Sequence, residues 1–177
     1  MELGFYRFAN KEPNKLAIVG PNEELVSRGE LLSKANKLTH ALRDLGLKKF
    51  DTVAVVLPNS VEYFVVYMAC LQAGFYLVPI NWHLAGPEIA YILEDSEAKA
   101  FIASGKNPDM EKACINAVSE ISFDKKGCIT IDELEGFRHI DDFTKSMPDE
   151  NPHDRSAGQV MNYTSGTTGK PLSLIHI

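Results

Sequence analysis

The 177-residue chain has few of the features that would reveal its chemistry directly. Its three cysteines, Cys70, Cys114 and Cys128, form no C-x-x-C pair and cannot all pair with one another. That scarcity excludes a disulfide framework and a cysteine-rich zinc module, and it predicts a reducing, cytoplasmic setting with the thiols as small buried apolar groups. Positive charge is also scarce: 18 Lys and Arg stand against 24 Asp and Glu, for a formal net charge of -6. Nucleic acids and anionic membrane surfaces select for clustered basic side chains, so no nucleic-acid partner is expected and any bound anion must be held locally. The histidines at 40, 83, 139, 153 and 176 show no metal-ligand spacing. No internal repeat or low-complexity tract appears, which excludes a solenoid. The first fifteen residues, MELGFYRFANKEPNK, break any apolar run with charges and a proline, so an export signal is not expected.

The chain is 45% hydrophobic, enough for one sizeable core. The longest apolar run, residues 61–80 (VEYFVVYMACLQAGFYLVPI), has the length of a membrane span with only Glu62 charged. Gly74 and Pro79 divide it, and the apolar segment 52–57 ends before it at Pro58. The pattern therefore predicts strand, turn, buried helix and strand rather than a transmembrane segment. Asn59-Ser60-Val61-Glu62 has the spacing of a capping box with Asn59 as the cap. The Tyr and Phe side chains over 61–76 are expected in the core.

The same alternation extends to both sides. Strands are predicted over 16–19 and 25–26, followed by a second capping-box spacing at Ser27-Arg28-Gly29-Glu30. Leu31, Leu32, Ala35, Leu38, Ala41, Leu42 and Leu45 recur at helical steps, and Gly46 stands where a helix would stop. Further on, the pattern predicts a strand over 76–78, a helix over 87–93, a strand over 100–103 and a helix over 110–118. Strands alternating with helices of this length need crossover connections, so the fold class is α/β with layered sheet and helices. Residues 123–155 are polar and aperiodic, and loops with one short helix are expected there. The adjacent Asp141 and Asp142 are expected on a solvated face rather than as an acid–base pair. Residues 158–163 (GQVMNY) are expected to form one strand leading into the next segment.

That segment is YTSGTTGKP, residues 163–171. Hydroxyl side chains and glycines after a strand can turn several donors toward one point, and a lysine adds a mobile positive charge suited to phosphate. A Walker A loop would need glycine at Thr164 and a hydroxyl residue at Pro171, so a P-loop kinase or NTPase is disfavoured. Taken alone, the nine residues also fit an exposed turn with a solvated lysine.

YTSGTTGKP resembles the signature loop of the adenylate-forming, or AMP-binding, superfamily. The run AVVLPNSVEYFVVYMACLQAGFYLVPIN, the following WHLAGPEIAYILEDSEAKAFIAS, and SRGELLSKANKLTHALRDLGL are similar to the N-terminal domain of fatty-acyl-CoA synthetases. The resemblance covers nearly all of residues 5–171. It implies an ATP-dependent acid–thiol ligase acting on a small-molecule carboxylic acid, with fatty acids the expected class. The carboxylate attacks the α-phosphate of ATP, and the thiol of coenzyme A then displaces AMP. By position, Thr164, Ser165, Thr167 and Thr168 would donate hydroxyl hydrogen bonds to the nucleotide. Gly166 and Gly169 would let the backbone approach, and Lys170 would neutralise phosphate. Mg2+ is implied as cofactor, with no ligand and no catalytic residue assigned within this chain.

Residues 1–177 are accordingly expected to be the N-terminal part of an AMP-binding domain ending at the loop, with the rest of the large domain and the small C-terminal domain absent. LSLIHI follows Pro171 where the family continues Lys-Gly-Val, which points to a truncated or misread reading frame. The fragment alone is expected to be inactive and poorly stable, because sheet edges and apolar faces would be left uncovered. The alternatives are an aryl-CoA ligase, a peptide-synthetase adenylation domain, or a non-catalytic interaction module. Peripheral membrane association and oligomeric state are open. His83, within Asn81-Trp82-His83-Leu84, is expected to serve a turn.

Overall fold

The computed structural model describes residues 4–164 and 172–173. Helix α1 (Phe5–Lys11) precedes an antiparallel hairpin of β1 (Leu16–Val19) and β2 (Leu25–Ser27). The sequence pattern suggests no helix at α1, whose start has no side-chain cap at Gly4. The hairpin leads directly into α2 (Arg28–Asp44), which begins with the expected reciprocal cap. The Ser27 hydroxyl accepts the Glu30 N–H at 3.2 Å, and the Glu30 carboxylate accepts the Ser27 N–H at 2.8 Å. The Ser27 backbone N–H, with the Ser27 side chain adding to it, holds the Glu30 carboxyl below the usual carboxylate range.

The central layer is built by β3 (Thr52–Val56), α3 (Val61–Ala73), β4 (Tyr76–Pro79), α4 (Gly86–Asp95), β5 (Ala98–Ala103) and α5 (Pro108–Glu120). A 3-10 turn at Lys125–Gly127 leads to β6 (Cys128–Thr130), then β7 (Arg138–His139), α6 (Ile140–Thr144) and β8 (Gln159–Val160). Six of these strands form one sheet in the order β7-β6-β5-β3-β4-β8, with every neighbouring pair parallel. The α/β class is as expected.

Alternating residues of each central strand face opposite layers, as strand geometry requires. Val53 and Val55 of β3, Leu77 of β4 and Ile102 of β5 pack with α2, α3 and α6. Ala54, Val56, Val78 and Phe101 pack with α4 and α5 on the other side. The chain steps from β3 to β4 through α3, then reverses over β3 to reach β5 through α4 and continues to β6 through α5. A crossover of fixed hand puts its helix on opposite faces when the direction of travel reverses, which accounts for the two layers.

Four details differ from the expectations. The cap of α3 is Ser60, whose hydroxyl accepts the Tyr63 N–H at 3.2 Å, and not Asn59. Ser and Asn both cap well, so spacing alone left the start open by one residue. Phe64 is 44% exposed, because the outward side of α3 is not covered by another layer. Residues 128–130, in the stretch read as loop, form a fully buried sheet strand. The expected single strand over 158–163 divides into β8, in the large sheet, and β9 (Tyr163–Thr164), which pairs antiparallel with β10 (Leu172–Ser173). Among the described residues, no helix is long and apolar enough to cross a membrane.

Candidate functional site

Because all six strands of the large sheet run parallel, the segments that follow them gather along one edge. Ligands of open α/β sheets bind at that edge, where neighbouring connections diverge to opposite faces. Here β3 turns to α3 on one face while β4 and β5 turn to α4 and α5 on the other, so the divergence lies at the middle of the sheet.

Several side chains at this edge fix their own turns. The Asn81 side-chain oxygen accepts the His83 N–H at 3.1 Å and lies 3.1 Å from His83 Nδ1. The Trp82 and His83 rings lie 3.5 Å apart between centroids, with Trp82 40% exposed. His83 therefore engages its own turn, as the sequence suggests. After β5, the buried Ser104 hydroxyl donates to the Asp132 carboxylate and accepts the Lys106 N–H, tying the turns after β5 and β6 together.

The donor-rich segment is approached through β8. Upstream of that strand, residues 149–155 form a strap across α2 and α3. Arg155 Nε donates to Gln72 Oε1 at 3.0 Å, and its guanidinium lies 4.8 Å from the Tyr6 ring centroid. Ser156 N–H donates to Gln72 C=O and Gly158 N–H to Leu71 C=O. The close approach demands glycine at 158: a Cβ there would lie 2.3 Å from the Cys70 carbonyl and 2.5 Å from that of Phe75. Met161 N–H then donates to Leu77 C=O at 2.8 Å, and its side chain is buried in the α4–α5 layer.

Tyr163 is the next side chain to be held. Its ring packs on the same layer, and its hydroxyl donates to Asp95 Oδ2 at 2.7 Å. The Tyr91 hydroxyl stands 3.5 Å from the other oxygen of that carboxylate. Burial pushes the Tyr163 phenol well above its ordinary range, and the Asp95 carboxylate pushes it further, so it is a protonated donor at neutral pH. Asp95 is the last residue of α4, where the helix dipole disfavours negative charge by about 0.3–1 kcal/mol, and the two phenol donors offset that.

Of the residues assigned to nucleotide binding from sequence, the backbone of Thr164 lies in β9, opposite Leu172. Ser165, Gly166, Thr167, Thr168, Gly169 and Lys170 lie outside the described residues. The β9–β10 pairing brackets them. Asp141 and Asp142 are exposed, as expected. The three cysteines are buried and free. Burial raises the Cys114 thiol to about 12 and the Cys128 thiol to about 11, and it raises Cys70 as well. A thiolate nucleophile at neutral pH is thereby excluded for Cys70, Cys114 and Cys128. The contacts of Tyr163 and Arg155 escape sequence reading because their partners lie 68 and 83 residues away.

Comparison with known proteins extends this geometry. The chain is 30% identical over 172 residues to the long-chain-fatty-acid-CoA ligase FadD13 of Mycobacterium tuberculosis, covering 95% of this chain and 33% of that protein. It is 32% identical over 167 residues to gramicidin S synthase 1 of Brevibacillus brevis, covering 94% of this chain and 14% of that protein. The N-terminal domain of FACL13 from Mycobacterium tuberculosis superimposes with a TM-score of 0.79 at 28% identity, over 97% of this chain and 42% of that one. The fold is also that of the anthranilate CoA ligase AuaEII, with a TM-score of 0.80 at 24% identity over 96% of this chain and 33% of that one. The chain spans about a third of the length of FadD13. The AMP-binding enzyme family matches residues 5–172, so the chain belongs to that family.

Proposed function

We propose that this chain supplies the phosphate-gripping part of an ATP-dependent acyl-CoA synthetase that activates fatty acids. The observation that carries the reading is that the chain leaves β8 at the carboxyl end of a parallel sheet and that Thr164 and Leu172, which flank the donor-rich run in sequence, pair with each other. In adenylation, negative charge builds on the departing pyrophosphate as the carboxylate attacks the α-phosphate. Hydroxyl donors from Thr164, Ser165, Thr167 and Thr168 with the Lys170 ammonium stabilise that charge, and Gly166 and Gly169 let backbone N–H groups approach. Coenzyme A then takes the acyl group as AMP departs. Residues 1–177 act as the N-terminal part of the AMP-binding domain, ending just past the loop at 163–171.

Mg2+ would neutralise the nucleotide's phosphates. Among the described residues no group of three His, Cys, Asp or Glu side chains could hold a metal ion, so no residue of this chain is assigned to it and no step is derived through it. Three buried, free cysteines support a reducing, cytoplasmic compartment. The 32% identity to gramicidin S synthase 1 supports a second reading, a peptide-synthetase adenylation domain that would activate amino acids.

Carboxylate-dependent exchange of pyrophosphate into ATP, run over fatty, aryl and amino acids on the enzyme containing this segment, tests both readings. Exchange with fatty acids is expected, and Lys170→Ala slows it by about tenfold or more, as for loss of a single charge-stabilising donor. An unchanged rate in that variant removes Lys170 from the proposed role. Exchange with amino acids alone selects the second reading.

A further inference from the structure

We infer that Tyr163 and Asp95 form a positioning pair that fixes the strand entering the phosphate loop. The inference rests on the proposed function for what the loop holds, but the pair itself stands on described geometry. Between Met161, locked to β4 by its N–H, and the loop, Tyr163 is the one residue whose described side chain is tied to another element. Its ring packs on the α4–α5 layer while its hydroxyl reaches the end of α4 at 2.7 Å.

Two further features point to positioning rather than bulk packing. The ring of a phenylalanine would fill the same space, so the hydroxyl is not needed for packing. A carboxylate at the last position of α4 works against the helix dipole, yet it stands between two phenol hydroxyls, those of Tyr163 and Tyr91. The anchored residue is itself part of the hairpin, which pairs Tyr163 with Ser173 and Thr164 with Leu172. Neither residue touches reacting atoms in this proposal; both act through the loop.

Amide hydrogen exchange on the enzyme containing this segment, measured without nucleotide, tests the pair. Tyr163→Phe, which keeps the ring, is expected to speed exchange at residues 163–164 and 172–173 by about three- to tenfold, the scale of one lost hydrogen bond to a charged group at a half-exposed site. Exchange within β3 should stay unchanged. Asp95→Ala should match Tyr163→Phe, the double variant should be no faster than either, and Asp95→Asn, which keeps an acceptor, should restore most of the protection. Equal exchange in Tyr163→Phe and the unsubstituted chain overturns the pair, as does a speed-up shared by β3.

A second measurement reads the consequence for nucleotide. In pyrophosphate–ATP exchange by the enzyme containing this segment, Tyr163→Phe is expected to raise the KM for ATP by about three- to tenfold and leave the KM for the carboxylic acid unchanged. An unchanged KM for ATP beside an impaired Lys170→Ala overturns the positioning role. If the unsubstituted enzyme shows no ATP-dependent exchange, the proposed function fails, and amide exchange alone decides whether the pair holds the hairpin.

Discussion

The two faces of the sheet are held by different physics. The face carrying α4 and α5 is apolar: Phe101, fully buried, meets the edges of Phe123 and Phe137, with Ile89, Ile92, Leu93 and Met110 around them. The face carrying α2 and α3 has a polar seam inside its apolar layer. Gln72 Nε2 donates to Asn36 Oδ1 at 3.0 Å and Thr39 Oγ1 at 2.9 Å, while its Oε1 accepts from Arg155. Asn36 Nδ2 in turn donates to the Asp149 carbonyl at 2.8 Å. Apolar contact is non-directional and tolerates small shifts, whereas a buried network is satisfied only in one geometry. The seam therefore sets where the strap lies, and the strap sets where β8 and the segment beyond it begin.

The comparison fails if both faces respond alike to damage. Phe101→Ala should have the largest effect on stability, a loss of about 3–5 kcal/mol in urea unfolding from the cavity it leaves. Gln72→Ala should cost about 2–3 kcal/mol, since it removes the acceptor of Arg155 Nε and the donor to Asn36 Oδ1 and Thr39 Oγ1 from a buried network. The sharper sign is coupling: combined with Asn36→Ala, Gln72→Ala should fall short of additivity by about 1 kcal/mol or more, whereas Gln72→Ala with Phe101→Ala should add. Ser27→Ala should cost about 1 kcal/mol by removing the cap of the helix that bears Asn36 and Thr39. Limited proteolysis within 149–155 should quicken in Gln72→Ala and Ser27→Ala more than their stability losses alone require. Equal cleavage at matched stability would show that the seam has no special hold on the strap.

The contrast also explains what could be read from the sequence. Elements whose signals are local were legible: the Ser27–Glu30 box, the apolar stripe of α2, and Gly74 ending α3 at φ 80°. β6 was not, because the four residues between Lys125-Lys126-Gly127 and Asp132-Glu133 have no room to show a period, and pairing with the neighbouring β5 and β7 makes the first three a strand. Ser60 displaced Asn59 as a cap because two good capping residues stand side by side. At the candidate site, the hydroxyl–glycine–lysine run stands out through its resemblance to the AMP-binding signature loop, and residues 165–170 of it lie outside the described residues. The Arg155–Gln72 and Tyr163–Asp95 contacts did not, since each joins positions that only the completed sheet brings together.

The buried thiols offer the smallest but most local test, because Cys70 lies in the layer with the polar seam and Cys114 in the apolar one. Both are held neutral by burial, Cys114 up to about 12, so at pH 7–8 alkylation by iodoacetamide requires an opening that exposes the sulfur. Gln72→Ala should therefore speed labelling of Cys70 several-fold more than that of Cys114, a difference of about 1 kcal/mol in local opening corresponding to roughly fivefold. Raising the pH adds a separate global effect whose sign is fixed. Below about 9 both folded and unfolded thiols are protonated and contribute no pH dependence; above it the unfolded thiols ionise while the folded ones resist, so stability falls as pH climbs toward 11–12. Labelling of both thiols should then rise together. Rates that separate at pH 7.5 in Gln72→Ala and converge above pH 9 would distinguish a local loss of the seam from loosening of the whole fold, whereas rates equal at every pH would mean that the two faces open as one.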